Sequence, residues 1–300
     1  MAASIYLEGR TRKNLNENLN SSELKDCVFI SDRIDTKCLS NSSFEHCTFA
    51  NISFKGAKII KDKFTNCVFI GCYFRKCDVT ESTFIGCKFI DSTFPGVIIK
   101  CCIFEYTFFS NCFIPYNELE YSLPGAPNLR EDLARNLSVE SAKLGYFDES
   151  NRYRREELKA REKHLWAAFK GETQWYRDHY DCCRQLKALF EYIISVLNGF
   201  FFGYGQYFYP LLRNLFFSII FFWGLFFVFK DQLINTETSQ SPNGLDTLLY
   251  SLHNILPTGI EVKVQAIHGI TRVLAGFEAL WGIILAAYVA SYIFRWSLNK

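Results

Sequence analysis

Residues 64–94 read FTNCVFIGCYFRKCDVTESTFIGCKFIDSTF, with an apolar residue at every fifth position and phenylalanine at most of them. A spacing of five matches neither the α-helical period of about 3.6 nor the strand period of about 2. The same phase extends in both directions, and all eighteen positions are apolar: Phe29, Ile34, Leu39, Phe44, Phe49, Phe54, Ile59, Phe64, Phe69, Phe74, Val79, Phe84, Phe89, Phe94, Ile99, Phe104, Phe109 and Ile114. A unit of five residues cannot bury its own apolar side chain, so such units must stack into a solenoid with one continuous core.

The size of one coil follows from side chains that repeat every twenty residues. One such column holds only phenylalanine, from Phe29 to Phe109, and another holds only aliphatic residues, from Leu39 to Ile99. Four units of five residues therefore form one coil with a square cross-section. Leu19 continues the phase backwards, so we expect about five coils over residues 19–116, preceded by an extension over residues 1–18.

Cysteine is frequent two residues before a core position, and Cys27, Cys47, Cys67 and Cys87 form one column. A column of thiols could act as a redox or metal ladder, or could provide small side chains beside stacked phenylalanines. We favour the second interpretation and predict no metal site, because such sites mix cysteine with histidine or use paired CxxC spacing. The N-terminus lacks the apolar core of a secretory signal, so we expect the first domain in the cytoplasm and its cysteines reduced.

Residues 19–114 resemble the pentapeptide-repeat family, whose consensus places a small residue two positions before a central Phe or Leu. The resemblance implies a right-handed quadrilateral β-helix with polar side chains on its outer faces. Some members of the family resemble duplex DNA and bind topoisomerases through acidic faces. The outward residues here are mixed in charge and the chain has a net charge of +2, so neither DNA mimicry nor a nucleic-acid partner is expected.

Helical signals replace the repeat over residues 117–187 and predict a helical connector. Leucines at helical spacing mark a first helix and the charged run that follows predicts a second, so we expect a helical hairpin. Residues 188–209 are rich in aromatic side chains, and three glycines are expected to break any long helix there. This composition predicts an interfacial segment that lies along the cytoplasmic membrane surface.

Two apolar runs, residues 211–229 and 270–294, are long enough for helices that cross a hydrocarbon core of about 30 Å. They predict a membrane domain over residues 210–300. Lys and Arg residues lie before the first run and after the second, whereas residues 231–267 carry four acids against one lysine. Under the positive-inside rule, we expect an inner-membrane or plasma-membrane protein with both chain termini in the cytoplasm.

Between the two runs, residues 245–261 read LDTLLYSLHNILPTGIE, a segment with an apolar helical face that is too short to span a bilayer. Pro242 predicts the start of a helix, and the Pro257-Thr258-Gly259 sequence predicts its end. A short helix followed by glycine-containing backbone can enter a membrane only where it is buried in protein or lines a water-filled cavity. We therefore predict a re-entrant pore loop, whose helix C-terminus would stabilise a cation.

This order of long helix, short helix, loop and long helix resembles the two-transmembrane pore-loop channels of the potassium-channel superfamily. The resemblance implies a pore that is closed by four copies. It also implies that Thr258 and Gly259 supply filter oxygens within a selectivity filter of five residues, Pro257, Thr258, Gly259, Ile260 and Glu261. The family's filter is TVGYG, whereas this chain has one glycine and no tyrosine there, so the identity of the permeant cation stays open.

Three residues of the second run are candidates for the inner lining or the gate of the pore. Glu278 is a carboxylate within an apolar span, which is costly and usually faces a bundle interior or water. It could line the pore, accept a structural hydrogen bond, or pair with Arg272 or another subunit. Gly276 and Gly282 flank it and could be a gating hinge or close packing points, of which packing is favoured.

The whole sequence predicts a mixed fold, with an N-terminal β-helix, a helical connector and a two-span α-helical pore domain. We expect a cation channel of four identical subunits that is gated by a ligand or protein partner at its cytoplasmic β-helix. The alternative is a membrane-anchored scaffold, whose β-helix binds a protein while the spans only anchor it. The sequence has no nucleophile elbow, phosphate-binding loop or HExxH motif, so neither an enzyme nor a bound cofactor is expected.

Overall fold

The structure of the protein is a computed structural model that describes residues 11–13, 20–205, 207–256, 262–267 and 269–298. The chain divides into two compact units, Met1–Leu189 and Phe190–Lys300. Most of the expected N-terminal extension, together with Leu19, lies outside the described residues.

The first unit begins with a β-solenoid of short strands. They are β1 (Thr11–Arg12), β2 (Glu23–Lys25), β3 (Cys27–Ile30), β4 (Cys38–Ser40), β5 (Ser43–Glu45), β6 (Thr48–Ala50), β7 (Lys58–Ile60), β8 (Lys63–Thr65), β9 (Val68–Ile70), β10 (Asp78–Thr80), β11 (Thr83–Ile85), β12 (Lys88–Ile90), β13 (Ile98–Lys100), β14 (Ile103–Glu105) and β15 (Phe108–Ser110). Three faces are parallel sheets, in the order β1-β3-β6-β9-β12-β15, β13-β10-β7-β4 and β14-β11-β8-β5-β2. The fourth face consists of single parallel bridges that join Arg33, Ser53, Tyr73, Thr93 and Phe113. The expected coil of four five-residue units is therefore confirmed, with about five coils in the solenoid.

Neighbouring coils pair at a register of twenty residues, which places identical side chains on top of each other. Phe49 pairs with Phe69, and Phe69 pairs with Phe89. Their rings stack at centroid distances of 4.7 and 4.6 Å, close to the spacing of about 4.8 Å between paired strands. These rings are buried, so the centre of the solenoid is a stack of side chains with one layer from each coil.

Each corner of the coil is made by one residue with a left-handed backbone conformation, every five residues from Ser21 onwards. Glycine occupies four of these corners, and Gly71 shows why it suits them. A Cβ at this position would lie 2.5 Å from Oδ1 of Asn51 in the preceding coil, so the absence of a side chain makes room for that amide. The other corners hold residues with side chains, for which the left-handed conformation costs up to about 1–2 kcal/mol each.

A short helix, α1 (Tyr116–Leu119), and a longer one, α2 (Pro127–Lys143), follow the last coil. Asn136 of α2 donates to the carbonyl O of Phe109 at 2.9 Å and accepts from its backbone N–H at 2.8 Å. Glu140, one turn further along α2, accepts from the N–H of Asn111 at 2.7 Å. These side chains replace the hydrogen bonds of a next coil, so the last strand does not present an open edge.

The connector contains the expected helical hairpin. α2 packs along α3 (Phe147–Lys170), and the hydroxyls of Ser138 and Ser150 each donate to the other residue's carbonyl O. Tyr153 of α3 is fully buried and donates to the carbonyl O of Ile114 at 2.9 Å, which ties the hairpin to the last coil. Two further helices follow, the short α4 (Gln174–His179) and the long, apolar α5 (Cys182–Phe202).

The second unit contains two long helices, α6 (Phe208–Val228) and α8 (Gly269–Leu298), with the shorter α7 (Gly244–Ile255) between them. Strands β16 (Leu233–Asn235) and β17 (Val264–Ala266) pair antiparallel on the segments that join the helices. Three helical segments are long and apolar enough to cross a membrane: Cys182–Gly205, Phe208–Val228 and Gly269–Phe294. The sequence predicts two spans, so the segment that contains α5 is an additional candidate. The solenoid and these helices together indicate a membrane-associated repeat protein.

Candidate functional site: a short helix between two apolar helices

The first turn of α7 is fixed by hydrogen bonds from its own cap and from α6. The side chain of Asn243 accepts from two backbone N–H groups at 3.0 and 2.9 Å, and Asp246 accepts in return from the Asn243 N–H. The indole N–H of Trp223 in α6 donates to the carbonyl O of Gly244 at 3.0 Å. The helix therefore begins two residues after Pro242, the expected start, because this reciprocal cap satisfies the free N–H groups of the first turn.

The second half of α7 is bonded to α8 through Glu278. This carboxylate is fully buried; one oxygen accepts from the hydroxyl of Ser251, and the other accepts from the side-chain amide of Asn254 at 3.2 Å. Arg272, the other charged residue in the predicted second span, donates instead to the carbonyl O of Ala266 at 3.1 Å. Of the roles considered for Glu278, the structure shows hydrogen bonds within one chain, and these join α7 to α8.

The two glycines that flank Glu278 have different surroundings. A Cβ on Gly282 would lie 2.1 Å from the carbonyl O of Ile255, the last residue of α7, so the helices approach closely only because this residue is glycine. A Cβ on Gly276 would meet nothing within 4 Å. Gly282 is therefore a packing point against α7. A role for Gly276, Glu278 and Gly282 in the lining or gate of a pore stays a prediction.

The face that α7 buries is more polar than its sequence suggests. Thr247, Tyr250 and Ser251 are buried, whereas Leu245 and Leu249 are exposed within one chain. The leucine spacing correctly predicts an apolar helical face, but hydrophobic periodicity alone does not show that the opposite, polar face is the one packed against α6 and α8. The exposed leucines leave an apolar surface on the site.

The predicted selectivity filter, formed by Pro257, Thr258, Gly259, Ile260 and Glu261, lies outside the described residues. The described chain reaches Leu256, directly after α7, and resumes at Val262, just before β17. Two acids of the predicted outer mouth are engaged within the chain: Asp246 belongs to the cap of α7, and Glu237 pairs with Lys263 at 2.7 Å. Part of the negative charge of this segment is therefore compensated locally.

The turn between α5 and α6 corrects one expectation about the glycines of this region. Gly199 lies inside α5 and does not break it. A Cβ there would lie 2.4 Å from Cζ of Tyr204, so this glycine makes room for the tyrosine ring instead. Gly203 and Gly205 do lie in the turn, both with positive φ.

Two polar side chains of α6 cap the C-terminal end of α5. Arg213 donates to the carbonyl O of Phe200, and its guanidinium lies 4.6 Å from the centroid of the same residue's ring. The side-chain amide of Asn214 donates to the carbonyl O of Phe201 at 3.4 Å. The last carbonyl groups of a helix lack partners within that helix, so these two residues stabilise the turn between α5 and α6.

Eight of the ten cysteines on the solenoid are buried in its core. The thiols of Cys47, Cys67 and Cys87 are buried and donate to backbone carbonyl O atoms of the preceding coil. Burial raises the pKa of the Cys67 thiol to about 12, which keeps it protonated at neutral pH. No cluster of His, Cys, Asp and Glu that could hold a metal ion occurs in the part of the chain that the structure describes.

Comparison with known proteins gives limited matches. A family model described as the SV2A/B/C luminal domain matches residues 8–94, less than half of the chain. Three structures of QnrB1, described as a plasmid-mediated fluoroquinolone resistance protein, are 12%, 12% and 13% identical and each cover 35% of this chain. The matches cover 81%, 77% and 73% of the respective QnrB1 chains, with TM-scores of 0.17, 0.16 and 0.12. No curated protein matches the chain.

These likenesses are too distant to assign a function. The repeat fold is established by the twenty-residue register of this chain's own strands. The matches to known structures add no evidence to it. The residues that make the candidate site, from Trp223 to Gly282, lie outside the segment that the family model matches.

Proposed function

We propose that the protein is one subunit of a cation-conducting membrane channel, with four copies around a pore and the β-solenoid as the gating domain. The placement of α7 carries this proposal. α7 has twelve residues, so it is about 18 Å long and too short for a hydrocarbon core of about 30 Å. It is nevertheless bonded to both neighbouring long helices, through Trp223 and Glu278. A simple membrane anchor has no need of such a helix, whereas a re-entrant pore loop requires one.

In this proposal α6 and α8 are the two spans, and α5 lies in the membrane surface. Arg184, Lys187 and Glu191 occupy one side of α5, because residues three or four apart share a helix face. The other side carries exposed apolar residues at helical spacing: Leu186, Phe190, Ile193, Ile194, Leu197 and Phe200. A helix with one charged side and one apolar side lies along a bilayer surface rather than across it.

The proposed ion is a cation because of the charges around α7. The C-terminal end of a helix carries partial negative charge, and the end of α7 leads directly into the predicted filter. The segment between α6 and α8 also has more acids than bases. An acidic entrance raises the local concentration of cations.

Reconstitution of the purified full-length protein into planar bilayers tests the channel. We expect cation currents from the parent protein and from Thr238→Lys, a control in the exposed segment before α7, but not from Thr258→Lys in the predicted filter. The mass in detergent should correspond to four chains. Absence of current from the parent under every ligand tested, with a monomeric mass, would contradict the proposal.

The side of the membrane that holds the solenoid needs its own measurement. Positive charges near the ends of α6 and α8, including Arg213 and Arg295, favour the cytoplasm under the positive-inside rule. The family model that matches residues 8–94 is described as a luminal domain, which favours the opposite side for that family. Cys101 is exposed on the solenoid. A membrane-impermeant maleimide should label it only after cells are permeabilised, and labelling of intact cells would reverse the proposed orientation.

A scaffold remains the second candidate, because apolar residues replace polar ones around the last coil. Ile98, Ile103 and Phe108 are exposed on three successive faces, at positions where lysines lie in earlier coils: Lys58, Lys63 and Lys88. Such a belt suits a protein partner. Changing all three residues to lysine should abolish capture of that partner without changing bilayer currents. The scaffold is favoured over the channel if currents are absent and residues 245–261 tolerate charged substitutions.

A further inference from the structure

Two neighbouring cysteines, Cys182 and Cys183, begin α5 and are both exposed. The other ten cysteines lie on the solenoid; eight of them are buried, and only Cys38 and Cys101 are exposed. The exposed pair at the start of α5 therefore has no part in the repeat that accounts for the other cysteines.

The spacing along α5 places Cys183 on the apolar side of the helix. Phe190, Ile194 and Leu197 follow it at intervals of seven, eleven and fourteen residues, and side chains at these intervals share one helix face. All three are exposed. Lys187 and Arg184 lie about 40° and 100° further around the helix, on the charged side. Cys183 therefore extends the apolar stripe towards the N-terminal end of α5, at the edge where the stripe meets the charged side.

A lipid surface suits this stripe better than a protein partner does. Arg184 and Lys187 lie beside it in the first turns, where they can contact anionic headgroups. The apolar side chains would then enter the boundary between headgroups and acyl chains. The inference that the stripe contacts lipid rests on the interfacial placement of α5 in the proposed function. It puts the Cys183 thiol at the depth where the activated end of a membrane-bound fatty acyl thioester lies.

We propose that Cys183 is an S-acylation site, with Cys182 as a secondary acceptor. The Cys183 sulfur attacks the carbonyl carbon of a long-chain acyl-coenzyme A. A new thioester bond forms between that carbon and Sγ, the bond to the coenzyme A sulfur breaks, and coenzyme A leaves as its thiol with the proton from the cysteine. Nothing is oxidised or reduced. Cysteines on amphipathic helices beside a membrane are the usual acceptors of this modification.

The modification would strengthen attachment at the end of α5 that joins the connector. One acyl chain alone binds a membrane weakly and reversibly, and stable attachment takes a second signal. The apolar stripe of α5 is that second signal. Because a thioester can be hydrolysed, acylation would make the attachment of this end of α5 to the membrane reversible.

Acyl transfer to the full-length protein in nanodiscs tests the assignment. The protein, in discs of phosphatidylcholine and phosphatidylglycerol, is incubated with palmitoyl-coenzyme A, and the modified cysteines are located by mass spectrometry before and after hydroxylamine treatment. A parallel sample is alkylated with iodoacetamide, which reports exposure to water. We expect the ratio of acylation to alkylation at Cys183 to exceed that at Cys38 and Cys101 by about ten-fold, because the bilayer concentrates the acyl donor beside α5.

Matched variants make the outcome decisive. Cys183→Ser should remove most of the hydroxylamine-sensitive acylation, whereas Cys38→Ser with Cys101→Ser should leave it unchanged. Equal ratios at all four exposed cysteines, absence of acylation, or retention of most acylation in Cys183→Ser would each overturn the proposal. The assay measures no current, so acylation without conductance counts against the channel alone, and conductance without acylation counts against this inference alone.

Discussion

The solenoid and the membrane unit are held together in contrasting ways. In the solenoid, each central ring repeats the same contacts: Phe69 stacks on Phe49 at 4.7 Å and on Phe89 at 4.6 Å. In the membrane unit, α7 is held by individual polar contacts that have no repeated counterpart, such as those of Trp223 and Glu278. Stability is therefore distributed along the solenoid but concentrated in a few residues around α7.

The stack of buried phenylalanine rings in the solenoid can be disrupted at Phe69. Phe69→Ala should lower the free energy of unfolding by about 3–5 kcal/mol, because a buried aromatic ring is removed and a cavity remains. Circular dichroism of the full-length protein in detergent during chemical denaturation would measure the loss. Phe108→Ala is the matched control, since Phe108 is 49% exposed on the same face. This control should lower the free energy of unfolding by less than about 1 kcal/mol. Equal losses for the two variants would contradict the claim that the buried phenylalanine rings stabilise the solenoid.

The contact between α7 and α8 can be broken at Glu278. Glu278→Ala would leave the buried Ser251 hydroxyl and the Asn254 amide without their acceptor, at a cost of about 2–3 kcal/mol. Hydrogen exchange should therefore become faster in α7 and remain unchanged in the solenoid. Glu278→Gln keeps one carbonyl acceptor in place and should restore much of the protection. If exchange in α7 does not respond to Glu278→Ala, this carboxylate does not anchor the helix.

Two glycines on α8 sharpen the comparison within a single helix. Gly282→Ala should destabilise the membrane unit by about 1–2 kcal/mol, because the new methyl group would overlap the carbonyl O of Ile255. Gly276→Ala has open space around it, and should change stability by less than about 1 kcal/mol, with the better helix propensity of alanine in its favour. Thermal unfolding of both variants in the same detergent would separate them. A similar loss at both sites would mean that Gly282 does not pack against α7 as described.

The same contrast explains how much could be predicted from sequence. A repeated unit specifies register many times over, so the stack of Phe49, Phe69 and Phe89 follows from spacing alone. The cap on the last coil does not, because Asn136 and Glu140 are ordinary polar residues on a charged helix and carry no periodic signal.

For the membrane unit, hydropathy located α6 and α8, and the cost of a charge in an apolar span singled out Glu278. Its partners Ser251 and Asn254 lie more than twenty residues away in sequence, and only the packing of α7 on α8 brings them together. The first residue of α7 can be predicted from sequence, since Asn243 and Asp246 have the spacing of a reciprocal helix cap. The proline at 242 was a weaker signal for the same boundary.

The last expected effect depends on pH and concerns an irregular position inside the regular solenoid. Asp62 occupies a column of small residues in which Ser42 and Ser82 are its neighbours, and it is 1% exposed. One of its oxygens accepts from the N–H of Ser42 at 2.7 Å, while Oδ2 has no hydrogen-bond partner among the residues that the structure describes. Burial raises the pKa of the Asp62 carboxyl from 3.8 to about 6.

The folded protein therefore binds a proton at Asp62 more tightly than the unfolded chain does. As a result, the contribution of this residue to stability falls as pH rises from about 4 to about 6, and it stays low above that range. Asp62→Ser matches the residue in the neighbouring coils and should raise stability by about 1–2 kcal/mol at pH 7. At pH 3, below both pKa values, the carboxyl is largely protonated in the folded and in the unfolded state, so the variant and parent should differ little. Denaturation at both pH values measures the difference, with Asp91→Ser as an exposed control. A constant gap between Asp62→Ser and the parent at the two pH values would show that ionisation of a buried carboxyl is not what weakens this coil.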